Sequence, residues 1–362
     1  FYPSPFKDAV ILTIDGVGEW ATTTVSIGKE SNIDIVKEIH FPHSLGLLYS
    51  AFTYYLGFKV NSGEYKVMGL APYGEPKFAS LILKNLIEIK EDGSFFLDQT
   101  FFNYSTGLTM VSEKFSKLFG RPIRNPEIEP VTQFHMDLAS SIQKVIETII
   151  LQMIRKLSEE YKIQNLCMAG GVALNCVANS KILKSGYFKN LWIQPAAGDA
   201  GGALGAALLT WHKELKQPRV LSKIDSMKGA YLGPSYTNNE IENSLTNCGA
   251  IFKTLDDKLI IEKTAQSLAE GKSIGWFQDR MEFGPRALGA RSIIADPRSD
   301  KMQKNLNLKV KFRESFRPFA PSVLREDIDN WFDFDHDSPY MLFVCDVKES
   351  IRHQLTEKEK KL

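Results

Sequence analysis

Two glycine-rich turns constrain the fold of this chain most, because each follows an apolar run and leads into a helical pattern. The first turn spans residues 168–176 and the second spans residues 198–202. A strand that ends in glycines before a helix places backbone N–H groups and the positive end of the helix dipole at one point. Two such turns close together in sequence predict an α/β protein that holds a nucleotide between them. Asp199, inside the second turn, offers a carboxylate to a phosphate-bound metal.

Length and composition bound the class of protein. A chain of 362 residues predicts about two domains, and 43% hydrophobic with 24% charged residues is typical of globular proteins. The net charge of +1 gives no reason to expect a nucleic-acid or membrane partner. The four cysteines lack the spacing of a metal site, which favours reduced thiols in a cytoplasmic protein. Since no initiator Met is present, we expect an internal piece of a longer polypeptide.

Periodicity and breaker residues predict the elements around these turns. Strands at residues 10–14 and 21–27 flank a turn whose Gly16 and Gly18 let the backbone approach a ligand. A loop is predicted at residues 67–74 and a strand at 273–277. Helices are predicted at residues 44–56, 137–161, 202–211 and 258–270, and a Phe-rich hairpin at 93–103. The pattern weakens from about residue 220, so we predict domains at 1–225 and 258–362 joined by a linker at 226–257.

A second cluster of motifs is basic. Residues 280–292 carry three arginines between Gly and Pro, and a further set follows at Lys309, Lys311, Arg313 and Arg317. Arginines fixed by Gly-Pro turns suit bidentate binding of phosphate or carboxylate. Alternating cations are also typical of a solvated face of a strand. Neighbouring Phe and Pro residues favour partial burial instead, and buried cations need anionic partners.

Each nucleotide motif has a structural alternative. The turn at residues 15–18 is also typical of an ordinary hairpin, and Asp199 could cap a helix. A glycine pair at 170–171 could serve packing alone. Asn175, one turn further on, has no packing role that the sequence reveals. The three sites support one another as a single nucleotide-binding set.

Six motifs in order carry a family resemblance. Residues 15–22, 67–74, 170–176, 198–205, 280–298 and 311–322 closely resemble the O-carbamoyltransferases of the nodulation-protein-U type, which include tobramycin and cephalosporin carbamoyltransferases. The resemblance covers most of the chain. It implies an actin/hexokinase-like (ASKHA) lobe similar to the tRNA threonylcarbamoyl-transfer enzyme, with its N-terminal part missing. A YrdC-like α/β domain, truncated at its C-terminus, is implied to follow.

The resemblance also implies a reaction. The YrdC-like part would form carbamoyl-adenylate from carbamoyl phosphate and ATP. The first lobe, with a divalent metal, would pass the carbamoyl group to a hydroxyl of a small metabolite. The family metal is iron, with Mg²⁺ as the alternative. The acceptor stays open, no nucleic-acid or membrane partner is implied, and a homo-oligomer is compatible with the resemblance.

Residue roles follow from the matching motifs. Asp15 and Asp199 correspond to carboxylates that contact the metal and the nucleotide phosphates. Asp15 also corresponds to a catalytic acidic group. Asp98 corresponds loosely to a second catalytic acidic group, near the acceptor hydroxyl. The implied nucleotide-binding positions are Asp15, Gly16, Gly18, Gly170, Gly171, Asn175, Gly198, Asp199 and Gly201. The implied carbamoyl phosphate ligands are Arg286, Lys311, Arg313 and Arg317.

Two alternatives and two departures accompany this interpretation. The first alternative, a tRNA threonylcarbamoyl-type transferase, is disfavoured by the basic motifs and the near-zero net charge. The second alternative is a nucleotide-binding module without catalytic activity. The family carries a His-x-x-x-His pair just before the segment that starts at Phe1, and further YrdC-like residues beyond about residue 350. Both are missing here, so we expect the chain on its own to be inactive or impaired.

Overall fold

The computed structural model describes residues 1–353. Its strands are β1 (Asp8–Ile14), β2 (Ala21–Lys29), β3 (Asn32–His40), β4 (Ile87–Ile89), β5 (Phe95–Leu97), β6 (Asn165–Ala169), β7 (Asn190–Ile193), β8 (Ile274–Phe277) and β9 (Arg291–Ile294). Its helices are α1 (Leu45–Tyr55), α2 (Glu64–Leu70), α3 (Ala79–Asn85), α4 (Glu113–Phe119), α5 (Gln133–Tyr161), α6 (Cys176–Ser185), α7 (Asp199–Leu209), α8 (Asn238–Asn247), α9 (Asp257–Ala269), α10 (Met302–Asn305) and α11 (Ile328–Trp331). Within residues 1–353, no helix has both the length and the apolar character of a membrane span.

The main sheet has five strands in the order β3-β2-β1-β6-β7. β2 runs antiparallel to β1 and β3, whereas β6 runs parallel to β1 and β7. The central position of β1 explains its continuous apolar run, since Val10, Leu12 and Ile14 are fully buried. The mixed α/β class and the predicted hairpin of β1 and β2 are confirmed. Parallel pairing brings the carboxyl ends of β1, β6 and β7 to one edge of the sheet.

Helix α5 is the longest element and packs its apolar face into the core. Ile142, Ile149 and Ile154 are fully buried at helical spacing. Periodicity predicted a start at residue 137, whereas the helix begins at Gln133, where Thr132 and His135 form a capping box. The apolar residues of this first turn are only partly buried, and the fully buried apolar positions begin after it, at Leu138.

Three further predictions of local structure in the first 225 residues are wrong. The hairpin predicted at residues 93–103 is formed by β4 and β5, and only β5 lies within that range. The predicted loop at residues 67–74 is the end of α2 followed by a 3-10 turn, Ala71–Tyr73. Pro72 lies in the first turn of that 3-10 element, where no backbone N–H is needed. Helix α7 begins at Asp199 rather than at residue 202, so the glycines that suggested a loop lie inside its first turns.

The C-terminal part holds a second, two-stranded sheet of β8 and β9. The predicted linker at residues 226–257 contains α8, which opens with a capping box between Thr237 and Glu240. The basic segment at residues 309–313 is not a strand, because a wide helical turn, Leu306–Val310, continues α10. The division into two domains stays a prediction.

Candidate functional site

The three predicted turns meet at the carboxyl edge of the main sheet. The Gly170 backbone N–H donates to the Ala197 carbonyl oxygen at 2.9 Å, which joins the first glycine turn to the segment before the second. Gly170 has φ +90°, and an added Cβ would lie 2.2 Å from the Ile14 carbonyl oxygen at the end of β1. Only glycine fits there. Because β1, β6 and β7 are parallel neighbours, the turns that follow them lie next to one another.

Asp15 lies directly after β1 and faces the first glycine turn. Its Oδ1 accepts backbone N–H groups from Gly16 at 2.8 Å and from Gly171 at 3.4 Å. Ser44, the N-cap of α1, donates its hydroxyl to the Asp15 carbonyl oxygen at 3.0 Å and so supports the same segment. Gly18 has φ +58° and serves the hairpin turn. The carboxylate of Asp15 is thus held in place between the two nucleotide motifs.

Asp199 is the exposed first residue of the eleven-residue helix α7 and follows the N-cap Gly198. A Cβ added at Gly198 or Gly202 would meet no atom of the described residues within 4 Å, whereas one at Gly201 would lie 2.0 Å from the Ala196 carbonyl oxygen. Packing therefore requires glycine at Gly201 but not at Gly198. Open space before the N-terminus of a helix suits a phosphate group that approaches backbone N–H groups.

Asn175 has two structural partners. Its Oδ1 caps α6 by accepting the Ala178 N–H at 3.0 Å. Its amide also exchanges two hydrogen bonds, of 3.0 and 3.1 Å, with the amide of Gln143 in α5. Gln143 in turn accepts the Tyr49 hydroxyl and donates to Glu147, both at 3.0 Å. The expectation that Asn175 has no packing role is wrong, and its nucleotide-binding role stays a prediction.

Arg286 links the basic motif to the first glycine turn. Its Nη2 donates to the Leu174 carbonyl oxygen at 2.8 Å. Its Nε is buried and has no hydrogen-bond partner among residues 1–353. On the same loop, a Cβ added at Gly284 would lie 3.3 Å from the Ala196 side chain, beside the second turn. A buried guanidinium N–H without a partner is a donor that an anionic ligand would satisfy.

The remaining cations of the motif have different surroundings. The Arg317 guanidinium stacks 4.2 Å from the Tyr65 ring, lies 3.8 Å from Glu314 and is 15% exposed. Arg313 donates to Asn307 Oδ1 at 2.7 Å. Lys311 is exposed. The expected partial burial is confirmed for the two arginines but not for Lys311.

Helix α2 connects these positions to the first turn. Tyr65, which stacks on Arg317, and Met68 both lie on α2, and the Met68 sulfur is 3.8 Å from the sulfur of Cys176. Burial raises the pKa of the Cys176 thiol, and the nearby Arg286 guanidinium opposes that shift. Arg286 therefore contacts the first turn directly, and Arg317 is connected to it through α2.

Asp98 stands apart from the glycine turns, at the end of the β4–β5 hairpin. Its Oδ1 accepts from the Thr100 N–H at 3.0 Å and the Thr100 hydroxyl at 2.7 Å, and Lys114 lies 3.4 Å from Oδ2. Burial alone would raise the pKa of Asp98, but these hydrogen bonds outweigh it and hold the pKa below its ordinary value. A carboxylate held in its ionised form by local partners is a weak candidate for a general base.

Two carboxylates among the described residues are candidate metal ligands. In residues 1–353, no group of three or more His, Cys, Asp or Glu side chains is placed to hold a metal ion. Asp15 and Asp199 offer carboxylate oxygens, which hard cations such as Mg²⁺ prefer. An iron centre with histidine ligands does not fit these residues alone, because Asp15 and Asp199 offer only oxygen ligands.

Sequence reasoning missed two residues of the site. Gln143 holds Asn175, and Glu282 organises the loop that carries Arg286. Gln143 lies inside a helical pattern and carried no local signal. Glu282 is an acidic residue within a segment rich in Arg, Gly and Pro, and this pattern could have indicated an internal ion pair.

Comparison with known proteins covers nearly the whole chain. A family model described as "Carbamoyltransferase N-terminus" matches residues 1–208, and one described as "Carbamoyltransferase C-terminus" matches residues 265–359. The chain is 58% identical to an uncharacterized protein of Synechocystis over 100% of its own length and 59% of the relative. It is 38% identical to nodulation protein NolNO of Sinorhizobium fredii over 98% of its own length and 50% of the relative.

A third relative gives the same picture. Nodulation protein NolO of Bradyrhizobium diazoefficiens is 37% identical over 97% of this chain and 62% of its own length. The chain therefore spans between 50% and 62% of the length of these three relatives.

Proposed function

The chain belongs to the carbamoyltransferase family, and on that basis we propose that the protein containing it is an ATP-dependent O-carbamoyltransferase. It uses carbamoyl phosphate and transfers the carbamoyl group to a hydroxyl of a small metabolite. One observation carries the proposal. Arg286 reaches the first glycine turn through Leu174 and retains a buried, unpartnered Nε among residues 1–353. A cation suited to an anionic carbamoyl donor thus lies against the predicted nucleotide site.

The balance of atoms sets the order of the proposed reaction. Water releases phosphate from carbamoyl phosphate to leave carbamate, and a carbamate oxygen then displaces pyrophosphate from ATP to form carbamoyl-adenylate. The acceptor hydroxyl attacks the carbamoyl carbon, AMP leaves, and the hydroxyl proton passes to a base. Adenylation makes a poor electrophile reactive, and fixed cations stabilise charge on the phosphates during both displacements.

The residues of this chain take distinct parts in that reaction. Backbone N–H groups at the first turn and at the start of α7 would bind the nucleotide phosphates. Arg286 would orient the carbamoyl donor, with Arg317 as a second cation that α2 holds in place. A metal, if held by Asp15, Asp199 and ligands outside the described residues, would supply Lewis-acid polarisation.

The finer fold assignments belong to the same proposal. A five-stranded sheet in which one strand opposes the other four supports an actin/hexokinase-like lobe. The YrdC-like assignment of the C-terminal part rests on the resemblance of the basic motifs. The four free cysteines and the use of ATP are compatible with a cytoplasmic reaction.

A non-catalytic nucleotide-binding module is the second candidate. It is favoured by one observation, the incomplete set of metal ligands within residues 1–353. The test that separates the two candidates is exchange of labelled pyrophosphate into ATP by the longer protein that contains this segment. Exchange that requires carbamoyl phosphate is the expected result. Bound ATP without any exchange would support the non-catalytic module.

A further inference from the structure

The carboxylate of Glu282 is fully buried, with 0% of its side chain exposed. Its Oε1 accepts the backbone N–H groups of Leu288 at 2.7 Å and Ala290 at 2.8 Å. Its Oε2 accepts the Arg291 Nε at 3.0 Å. The Glu282 carboxylate, at the start of the loop, therefore accepts hydrogen bonds from residues 288–291 at its end.

The same bonds close the loop that presents Arg286. Arg291 Nη2 donates to the carbonyl oxygens of Glu282 and Gly284, both at 3.2 Å, so the two ends are tied in both directions. Gly284 has φ +121° and Gly289 has φ +113°, a region that glycine adopts without strain. Two glycines that flank an arginine make the loop flexible unless something else restrains it.

We propose that Glu282 is the positioning residue that fixes the Arg286 loop against the glycine turns, so that Arg286 is preorganised for the anionic carbamoyl donor. The inference rests on the proposed function and adds a residue to it. Glu282 does not touch the donor and acts through the loop. Preorganised cations bind anions more tightly than mobile ones, because less conformational entropy is lost on binding.

The charge of Glu282 suits this role. Burial alone would raise its pKa, but the backbone N–H groups of Leu288, Ala290 and Arg291 outweigh that and hold the pKa below its ordinary value. The group therefore stays ionised at neutral pH. Glutamine has the same shape but only one acceptor oxygen, so its amide NH2 would face either the backbone N–H groups or the Arg291 Nε. The E282Q variant thus removes the charge and breaks one side of the closure without opening a cavity.

The test is a double-mutant cycle of E282Q and R286A in the longer protein. Calorimetry measures the Kd of carbamoyl phosphate and, separately, that of ATP. We expect E282Q to weaken carbamoyl phosphate by about tenfold and ATP by less than about twofold. In the R286A background, E282Q should cause no further loss for carbamoyl phosphate, because Glu282 acts through Arg286.

Glu240→Gln is the matched control. It makes the same chemical change in the exposed capping box of α8, outside the loop, and should leave both affinities unchanged. Arg291→Lys is the second variant, in case E282Q does not fold. It keeps the positive charge but loses the guanidinium bonds that tie Glu282 and Gly284, so it should also weaken carbamoyl phosphate selectively.

The outcomes separate the inference from the function. If the wild-type protein binds carbamoyl phosphate and folded E282Q binds it equally well, the positioning role is overturned and the proposed function stands. Additive losses of E282Q and R286A, or equal losses for ATP and carbamoyl phosphate, would also overturn it. If the wild-type protein binds no carbamoyl phosphate, the proposed function fails, and the inference fails with it.

Discussion

At the scale of single residues, Asn175 combines two tasks that are usually separate. It caps α6 and forms a reciprocal amide pair with Gln143, whose side chain lies in a buried network with Tyr49 and Glu147. Buried amides are tolerated only when their donors and acceptors are paired. The first glycine turn is thereby fastened to α5, the longest helix of the core.

Replacing Asn175 by Ala should destabilise the fold by about 2–3 kcal/mol, since it removes a cap and leaves the Gln143 amide partly unpaired. The measurement is urea denaturation. Thr237→Ala is the control, because Thr237 caps the exposed helix α8 and should cost only about 1 kcal/mol. Equal losses in the two variants would show that the amide pair adds nothing.

A second residue-scale prediction concerns acid stability. Asp137 is 6% exposed and accepts bonds from the Glu75 N–H, Lys77 and Gln133. Burial would raise its pKa, but these bonds outweigh it and hold the pKa below the ordinary 3.8. Its contribution is therefore complete above pH 3.8 and is lost as the pH falls through the lower, folded-state pKa.

Asp137→Asn should remove this pH dependence. At pH values below the ordinary pKa of the carboxyl, the Tm of the wild-type protein should fall more steeply with acid than the Tm of the variant. At neutral pH, the variant should have the lower Tm. Thermal unfolding followed across pH 2–7 measures both curves, with Asp34→Asn, at an exposed position of β3, as the control. Parallel curves for wild type and variant would contradict the assignment.

At the scale of elements, α6 fastens a C-terminal segment beside the first glycine turn. Asn179 Nδ2 donates to the carbonyl oxygens of Ala173 at 2.8 Å and Leu342 at 3.1 Å. The Val344 N–H donates to the Ser180 hydroxyl at 2.7 Å. Leu342 is buried in the core. The segment from Leu342 to Val344 thus contacts the same helix whose N-cap is Asn175.

Ser180→Ala should loosen this segment without unfolding the protein. The Val344 N–H loses its partner, so its hydrogen exchange should accelerate about tenfold, while core amides of β6 stay protected. Lys184→Ala is the control, because its exposed pair with Asp346 contributes at most about 1 kcal/mol. Unchanged exchange at Val344 would mean that packing of Leu342 alone holds the segment.

At the scale of the whole molecule, the candidate site combines residues that are far apart in the chain. Arg286 contacts Leu174, 112 positions earlier, and Lys66 forms a 2.7 Å ion pair with Glu314, 248 positions later. The regions that match the N-terminal and C-terminal family models therefore share an interface at the glycine turns. Ligand binding should couple the two parts.

Asp199→Ala tests the proposed nucleotide-binding role of the carboxyl edge of the main sheet. The side chain is exposed, so stability should change by less than about 0.5 kcal/mol. Metal-dependent ATP binding, measured by calorimetry with divalent metal present in the longer protein, should be lost. Asp98→Ala, an exposed carboxylate away from the turns, should leave ATP affinity unchanged. Unaltered ATP affinity in D199A would refute the assigned role.

Much of the carboxyl edge of the main sheet could be predicted from the sequence. The apolar runs of β1, β6 and β7 and the glycines after them are local signals, and parallel pairing then brings their ends together. Predictions failed where the signal was weak or shared. Gly and Pro within residues 67–74 are typical of a loop, but they are tolerated at the end of α2 and in the turn that follows it. The alternating cations at residues 309–313 are typical of a strand, but they follow a helical turn.

The sequence by itself determined the α/β class, the hairpin of β1 and β2 and the position of the glycine turns, because these depend on residues close together in the chain. Only the tertiary structure decided that Arg286 meets Leu174, that Gln143 pairs with Asn175 and that Glu282 closes its loop. The Arg286 and Gln143 contacts join segments distant in sequence, and the loop closure depends on backbone turns at two glycines. Hydrophobic periodicity places the elements but does not specify which polar groups meet when they pack.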